Sequence, residues 1–482
     1  MSSFKVNLIY NYLNTFVSVL FPLLTFPYAA RILLPDGIGL VNFHNSVIGY
    51  ITMITSLGIP LYAVREIARC RENVLLRNKT TIEISFLSII LALLGYIIVV
   101  LISIFVPQIS SNKELFYILS LSIIFTSVGV DWFYQAIEEF KFITIRGILI
   151  RCLFVISLYI FVNDESDVLV YAGILVGSTV GNNIINFIFL TKHFSFDQSL
   201  FANFNIWKHL KPSLRIFVLN ISISLYVSLN PILLGFFSDS SNVGYFTTGS
   251  RISQVILSVV LSMGTVLLPR SSNLIETKQT EQFNSLIQKA YHYYMAFALP
   301  LTLGLALLST PITILLFGTA FYSSVPVVYI TAPIIIFISM SNIIGMQILY
   351  PKGQEKLVIY STIGGAIMNV ITGFTLIPFL GAKGAAISML LSEFAVLIVQ
   401  LKLGKKYIPI KLFDKNIVIY LMGVIIMSSV ILILYNVVED MILKLVIPTF
   451  AGMLAYILYL YFKKDPITSE ILIFLKIKKD EI

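Results

Sequence analysis

Four ionisable side chains and four rows of amides and hydroxyls stand inside otherwise apolar sequence, and through these groups the chain would do its chemistry. Arg251 shares a helical face with Thr247, Gln254, Ser258 and Thr265, because residues three, four and seven apart line up on a helix. Asn7, Asn11, Asn14, Ser18 and Thr25 form a second row, Asn45, Gly49, Thr52 and Ser56 a third, and Asn220, Ser224, Ser228 and Pro231 a fourth. A guanidinium matches phosphate-type anions through paired N–H bonds, and amides and hydroxyls match sugar hydroxyls. Asp131, Arg151 and Glu393 are further charges inside the apolar spans, and their chemistry would be ion pairing, gating or ion coupling. The four histidines lack metal-ligand spacing, so no metal, catalytic group or cofactor is expected.

The elements that place these groups are membrane helices. Of 482 residues 57% are hydrophobic and 12% charged, about half the usual charged share of soluble domains, and mean hydropathy is +0.92. The apolar residues come in blocks of about 20, each long enough to cross roughly 30 Å of hydrocarbon. Fourteen spans are expected, at 7–30, 40–63, 81–106, 115–137, 142–162, 168–190, 214–237, 243–268, 290–308, 325–349, 357–380, 384–403, 417–435 and 443–462. The first continues past signal-peptide length without a small-residue cleavage site and should remain as a helix. Cys70 and Cys152 are the only cysteines and both map to the inner side, which argues against a disulfide framework.

Basic residues are retained on the cytoplasmic side. Of the 33 Lys and Arg residues, only Arg31, Lys113, Lys383 and Lys444 fall in the loops after odd-numbered spans, and Arg151 and Arg251 lie within spans. The rest follow even-numbered spans or flank the termini, so both termini should be cytoplasmic. The net charge of +9 then reflects insertion, not nucleic-acid binding. All loops are too short to hold a soluble active site, including the longest external one, STPITILLFGTAFYSSVP.

Two readings compete for the polar rows. One is hydrogen bonding between packed helices; the other is a shared hydrated cavity, favoured by four rows on the first two helices of each half. Arg251 lies about eight residues, or 12 Å, below the outer end of span 8, too deep to reach the interface, and serves either a cavity or a buried ion pair. Asp131 should share a face of span 4 with Ser127 and Tyr134 and pair with Arg151 or Arg146; the pair is either structural or part of proton coupling. Glu393 faces Met389, Ala386 and Leu397, an apolar setting that suits a structural carboxyl. His44, near the outer end of span 2, and Arg31 with Asp36, in the first external loop, are either mouth residues or, on the safer reading, a solvated loop.

Span 1 carries Pro27, a short loop and Ile38-Gly39, and span 7 carries Pro231, a similar loop and Val243-Gly244. That spacing points to two halves in the same orientation, with the basic segment TKHFSFDQSLFANFNIWKHLKPS between them.

The stretch DWFYQAIEEFKFITIR (Asp131 to Arg146) resembles the signature near the end of helix 4 in bacterial O-antigen and capsule repeat-unit flippases, the Wzx-type branch of the multidrug/oligosaccharidyl-lipid/polysaccharide exporter superfamily. PYAARILLPDGIGLVNF (27–43), VGYFTTGSRI (243–252) and GAKGAAISMLLSEF (381–394) resemble it too, the latter stretches being shared more widely across the superfamily. Ala136, Leu34 and the Phe317-Gly318-Thr319 turn depart from that pattern, which places glycine at the first, glycine beside the second and a Phe-Gly-Glu-like turn at the third. The resemblance implies an all-α, MATE-like polytopic membrane protein of about 14 helices in two pseudo-symmetric lobes. Residues 1–200 would form the N-lobe (helices 1–6), 201–410 the C-lobe (helices 7–12), and 411–482 helices 13–14 and a cytoplasmic tail. It also implies a non-enzymatic function: translocation of an undecaprenyl-pyrophosphate-linked oligosaccharide across the bacterial inner membrane, with polymerase and chain-length regulator as possible partners. The family commonly has a basic residue where Arg251 stands.

On this reading Arg251, Asn11, Asn14, Asn45, Gln254 and Arg31 bind substrate, and Asp131, Arg151 and Glu393 are the gating or H+/Na+ coupling candidates. A cation-coupled multidrug exporter of the same fold is the alternative, but it needs cavity carboxylates, and span 1 has none. A membrane polymerase or ligase needs a long external catalytic loop, also missing from the sequence.

Overall fold

The computed structural model describes residues 4–194, 204–217 and 229–465. All regular structure among them is helical, as the membrane requires, since helices satisfy their backbone groups internally. Ten helices are long and apolar enough to cross a bilayer, and two bent pairs raise this to twelve. One of the ten, Ile9–Arg69, runs 61 residues and holds both spans 1 and 2. Every expected span is then accounted for except span 7, of which residues 218–228, with Asn220, Ser224 and Ser228, lie outside the described residues.

Chain contacts divide the protein into two compact units, Met1–Gly244 and Tyr245–Ile482. Within the first, helix Val74–Phe105 shows how membrane helices pack. Leu93, Ile97 and Ile104 are more than half exposed, as lipid-facing residues are, while Ala92, Gly95, Val99 and Ser103 are buried on the other side. Gly95 lies against the Thr55 methyl group. Small residues permit such approach where lipid removes the hydrophobic drive between helices. In the second unit, helices Glu355–Leu380 and Ala382–Gly404 form a tight hairpin about Gly381, whose φ of 52° suits glycine. Much of GAKGAAISMLLSEF is therefore hairpin scaffolding: a Cβ at Gly384 would lie 2.5 Å from the Leu376 carbonyl oxygen.

Several expected loops are helical. The Arg31–Asp36 turn is a kink inside helix Phe4–Ser56, with Leu34 at φ 57°, a conformation costing a non-glycine residue about 1–3 kcal/mol. The stretch from Ser309, expected as an external loop, is helix Ser309–Phe317, bent 71° from Thr280–Leu307 and followed by a 3-10 turn. Helix Ser240–Glu276 runs past the expected end of span 8, and Thr280 starts the next helix, so the supposed inner loop at 270–289 shrinks to three residues. Charged residues there mark the membrane boundary and not the helix end.

In the first unit, helix Ile59–Arg69 buries Ile59, Tyr62, Ala63 and Ile67 against Ile84, Leu87, Trp132, Phe133 and Tyr134. Part of the aromatic content of DWFYQA thus serves as core.

Candidate functional site

Span 4 runs through Asp131, at 113–136, but not as one unbroken helix. Helix Lys113–Val128 stops at Gly129, Val130 takes a left-handed φ of 41°, and a short helix Asp131–Ala136 restarts. The break shifts the helical phase, so Asp131 does not share the expected uninterrupted face with Ser127 and Tyr134. Tyr134 turns inward and its hydroxyl donates to the Asn186 carbonyl at 2.6 Å.

Asp131 pairs with Arg146 and not with Arg151. Arg146 Nη2 donates to Asp131 Oδ1 at 3.0 Å, its Nε donates to Asn182 Oδ1 at 3.1 Å, and Asn186 Nδ2 donates to the same Asp131 oxygen at 2.6 Å. The Arg146 side chain is 6% exposed and the Asp131 side chain 48%. The guanidinium also lies 5.4 Å from the centre of the Phe142 ring, within cation–π range. Asn182 and Asn186 were missed from sequence, although GNNIIN places them four apart on one face of an apolar helix.

Arg151, five residues along helix Phe140–Phe161, joins the polar row of span 1. Its Nη1 donates to Asn14 Oδ1 at 3.1 Å and its Nη2 to Ser18 Oγ at 3.0 Å. Both acceptors are neutral, and among the described residues no carboxylate pairs with it. Leu149, Leu153 and Ile156 of the same helix are exposed, whereas Arg146 and Gly147 are buried. One edge of this helix therefore presents a cation to amides and hydroxyls while another meets lipid. Asn11 is exposed on the same row; Asn7's side chain lies outside those described.

Asn45 and Gly49 are exposed on helix Phe4–Ser56 and Thr52 is half-buried. Arg31 is exposed, whereas His44 is fully buried against Phe43 and Phe116, so it is neither a mouth residue nor a loop residue. In the second unit, Thr247 and Arg251 are half-buried and Gln254 and Ser258 exposed, while Gly249, Ser253, Leu257 and Val260 face that unit's interior. Ser253 meets Thr331 Oγ1 at 2.7 Å there. The row carrying Arg251 is thus less buried than the face beside it. Thr265's side chain lies outside the described ones. Glu393 is buried at 4% exposure within the hairpin helix.

A second polar cluster was also missed. Glu83, fully buried, receives Lys208 Nζ at 2.6 Å, His209 Nε2 at 3.1 Å and the Asn205 N–H at 3.0 Å, and Tyr62 Oη lies 2.7 Å from His209 Nδ1. These partners fit a neutral imidazole that donates from Nε2 and accepts the tyrosine proton at Nδ1. The cluster ties the described segment 204–217 to the first unit. Burial, outweighing the Glu83 hydrogen bond, holds the His209 pKa below its ordinary 6.5, with Lys208 opposing and Glu83 and Glu66 favouring the charged ring. Because the unfolded chain then binds more protons, this stability is complete above about pH 6.5 and is lost as pH falls through 6.5 toward the folded value. Thermal unfolding in detergent should shift to lower temperature between pH 7.5 and 5.5, and His209→Gln should flatten that shift.

Residues 4–275 match the family described as polysaccharide biosynthesis protein. The chain belongs to that family. A relative in Escherichia coli K12 named "Putative O-antigen transporter" is 25% identical over 401 residues, covering 82% of this chain and 95% of the relative. A Haloferax volcanii protein named "Probable low-salt glycan biosynthesis flippase Agl15" is 25% identical over 232 residues, covering 48% of this chain and 49% of that one. Among solved structures, the lipid II flippase MurJ in an inward closed conformation superposes with a TM-score of 0.73 at 17% identity, covering 95% and 100% of the two chains. An inward-facing multidrug resistance MATE transporter gives 0.60 at 14% identity, covering 80% and 94%. This member of the polysaccharide biosynthesis protein family therefore has the MATE-like membrane fold expected from its sequence.

Proposed function

We propose that this protein is a flippase that carries an undecaprenyl-pyrophosphate-linked oligosaccharide repeat unit, of O-antigen or capsule type, from the cytoplasmic to the periplasmic leaflet of a bacterial inner membrane. Both termini would be cytoplasmic, and the polymerase and chain-length regulator of the same pathway would receive the product. The observation that carries this reading is Arg151, held within a membrane span by Asn14 and Ser18 with no acid partner among the described residues. An arginine in that setting is costly unless it meets water or an anion, and a pyrophosphate offers bidentate acceptors for it. Arg251, Gln254, Asn11, Asn45 and Arg31 would contribute further contacts in an alternating-access cycle, the amides to sugar hydroxyls.

A membrane potential negative inside favours export of negative charge by about 2.3 kcal/mol per charge per 100 mV, so direction requires no coupled ion; Asp131 and Glu393 are the places where H+ or Na+ coupling would enter. The family relatives' names, O-antigen transporter and glycan flippase, favour the glycan reading over cationic drug export. So does Asp131, already engaged by Arg146. The test is reconstitution in liposomes with fluorescent undecaprenyl-pyrophosphate sugar. The expected result is protein-dependent movement between leaflets that is lost when the pyrophosphate is replaced by an uncharged linkage. Export of a cationic dye with no effect on the lipid-linked sugar would establish the multidrug reading instead.

A further inference from the structure

The connection from helix Ala382–Gly404 to helix Lys415–Val437, within the second unit, has a composition that the proposed function does not use. Residues 402–415 read KLGKKYIPIKLFDK, with five lysines and one acid. All five lysines are exposed, and among the described residues none is paired with a carboxylate. The one acid, Asp414, is used inside the fold. Its Oδ1 accepts the Asn416 and Ile417 N–H groups, both at 3.1 Å, which caps helix Lys415–Val437, and its Oδ2 accepts from His292 Nε2 at 2.7 Å. Among these charges Phe413 stands 86% exposed and Leu403 45%.

The loop is also held in shape. Gln288 Oε1 accepts the Lys411 N–H at 2.8 Å while its Nε2 donates to Asp414 Oδ2 at 3.2 Å. Tyr291 Oη donates to the Leu412 carbonyl at 2.9 Å, and Lys352 Nζ to the Tyr407 carbonyl at 2.8 Å. Gln288, Tyr291 and His292 all belong to helix Thr280–Leu307, so that helix fixes residues 411–414. Basic residues that only direct insertion act on the nascent chain and need no folded scaffold. A loop that only faced water would gain nothing from a rigid backbone that keeps a phenylalanine outside.

We propose that this loop is a docking site for the headgroups of anionic phospholipids, with lysine ammoniums on the phosphates and Phe413 among the acyl chains beside them. Both flanking helices are long and apolar enough to cross a bilayer, so the loop joining them stands at a bilayer surface. Negatively charged lipid surfaces attract basic segments, and Phe and Leu beside Lys are the usual partners of that boundary. Acyl chains are within reach of Phe413 and Leu403 there, which favours lipid over an acidic protein. Because the loop is already ordered, little conformational freedom is lost on binding.

The test places a reporter by Phe413→Trp in the full-length chain, reconstituted without cargo in vesicles of phosphatidylcholine and phosphatidylglycerol. One of the two lipids is brominated at a time, and the quenching of the added indole, taken as the difference from the chain with Phe413, gives their relative association with the loop. Phosphatidylglycerol should be preferred by about tenfold. Lys411→Gln with Lys415→Gln should bring the two lipids close to parity. Gln288→Ala keeps every lysine but frees the loop, and should lower the preference about threefold. Arg65→Gln with Arg69→Gln removes the same charge from exposed positions in the first unit and should change nothing. Equal quenching by the two lipids in the unsubstituted loop overturns the proposal, as it would if an acidic protein were the occupant. So does an equal loss in the lysine and arginine variants, which would reduce the effect to net charge. Should the first lysine variant fail to accumulate, Lys405→Gln with Lys406→Gln decides in the same way: a lost preference supports the site and an unchanged one overturns it. Flipping activity does not enter the measurement, so its failure leaves this result intact.

Discussion

Replacing Asp131 by alanine is expected to destabilise the protein more than replacing its partner Arg146 by methionine, although both changes break the same ion pair. The difference comes from what each leaves behind. Without Asp131, the Arg146 guanidinium stays in a side chain only 6% exposed, with Asn182 on Nε and the Phe142 ring nearby but no counter-charge. A buried charge stripped of its partner costs about 3–5 kcal/mol. Without Arg146, the Asp131 side chain is 48% exposed and still accepts from Asn186. Water can replace the lost donor, so the cost falls to about 1–2 kcal/mol. The double variant Asp131→Asn/Arg146→Met should recover much of the loss, since an ion pair exchanged for neutral residues of similar volume is often tolerated. Thermal unfolding of the detergent-solubilised variants measures the order. Equal losses in the two single variants would show that the pair is solvated as a whole and contributes little to the fold.

The span map was legible because bilayer thickness imposes a length on every apolar block, and Arg146 and Arg151 did not obscure span 5 because its other residues still make an apolar block of that length. The partner of Asp131 was not legible. Reading along a face assumes an unbroken helix, and the break at Val130 rests on a left-handed residue that is neither glycine nor asparagine. Leu34 hid the first kink in the same way: a short loop was expected between Pro27 and Ile38-Gly39, whereas the chain stays helical on both sides of one strained residue. His44 was misplaced because polarity was taken as a sign of exposure, while its ring packs between Phe43 and Phe116. Asn14 and Ser18 were identified from spacing alone, but that Arg151 crosses to them from another helix is a tertiary fact no periodicity contains.

That crossing sets the second large expectation. Arg151→Ala should reduce transport of lipid-pyrophosphate sugar by about 10- to 100-fold, the range for losing a charge-assisted hydrogen-bonded contact worth roughly 1.5–3 kcal/mol. Stability should change little. Asn14 and Ser18 are half-buried and exposed respectively, so water can satisfy Asn14 Oδ1, and the Ser18 hydroxyl already donates to the Asn14 carbonyl at 2.6 Å. Arg151→Lys keeps the charge but loses the planar fork that reaches both oxygens, and should retain an intermediate rate with weaker apparent affinity. Arg251→Ala tests the other row in the same assay, with Arg251→Lys as its charge-preserving control. If each arginine contacts the pyrophosphate in the same bound state, the double alanine variant should lose about the product of the two single factors. If instead they take the cargo in succession, whichever step becomes slower governs the rate, and the double variant should resemble the more impaired single one. Full transport by Arg151→Ala at equal protein level would reduce Arg151 to a helix-packing residue and remove the anion site from the first unit.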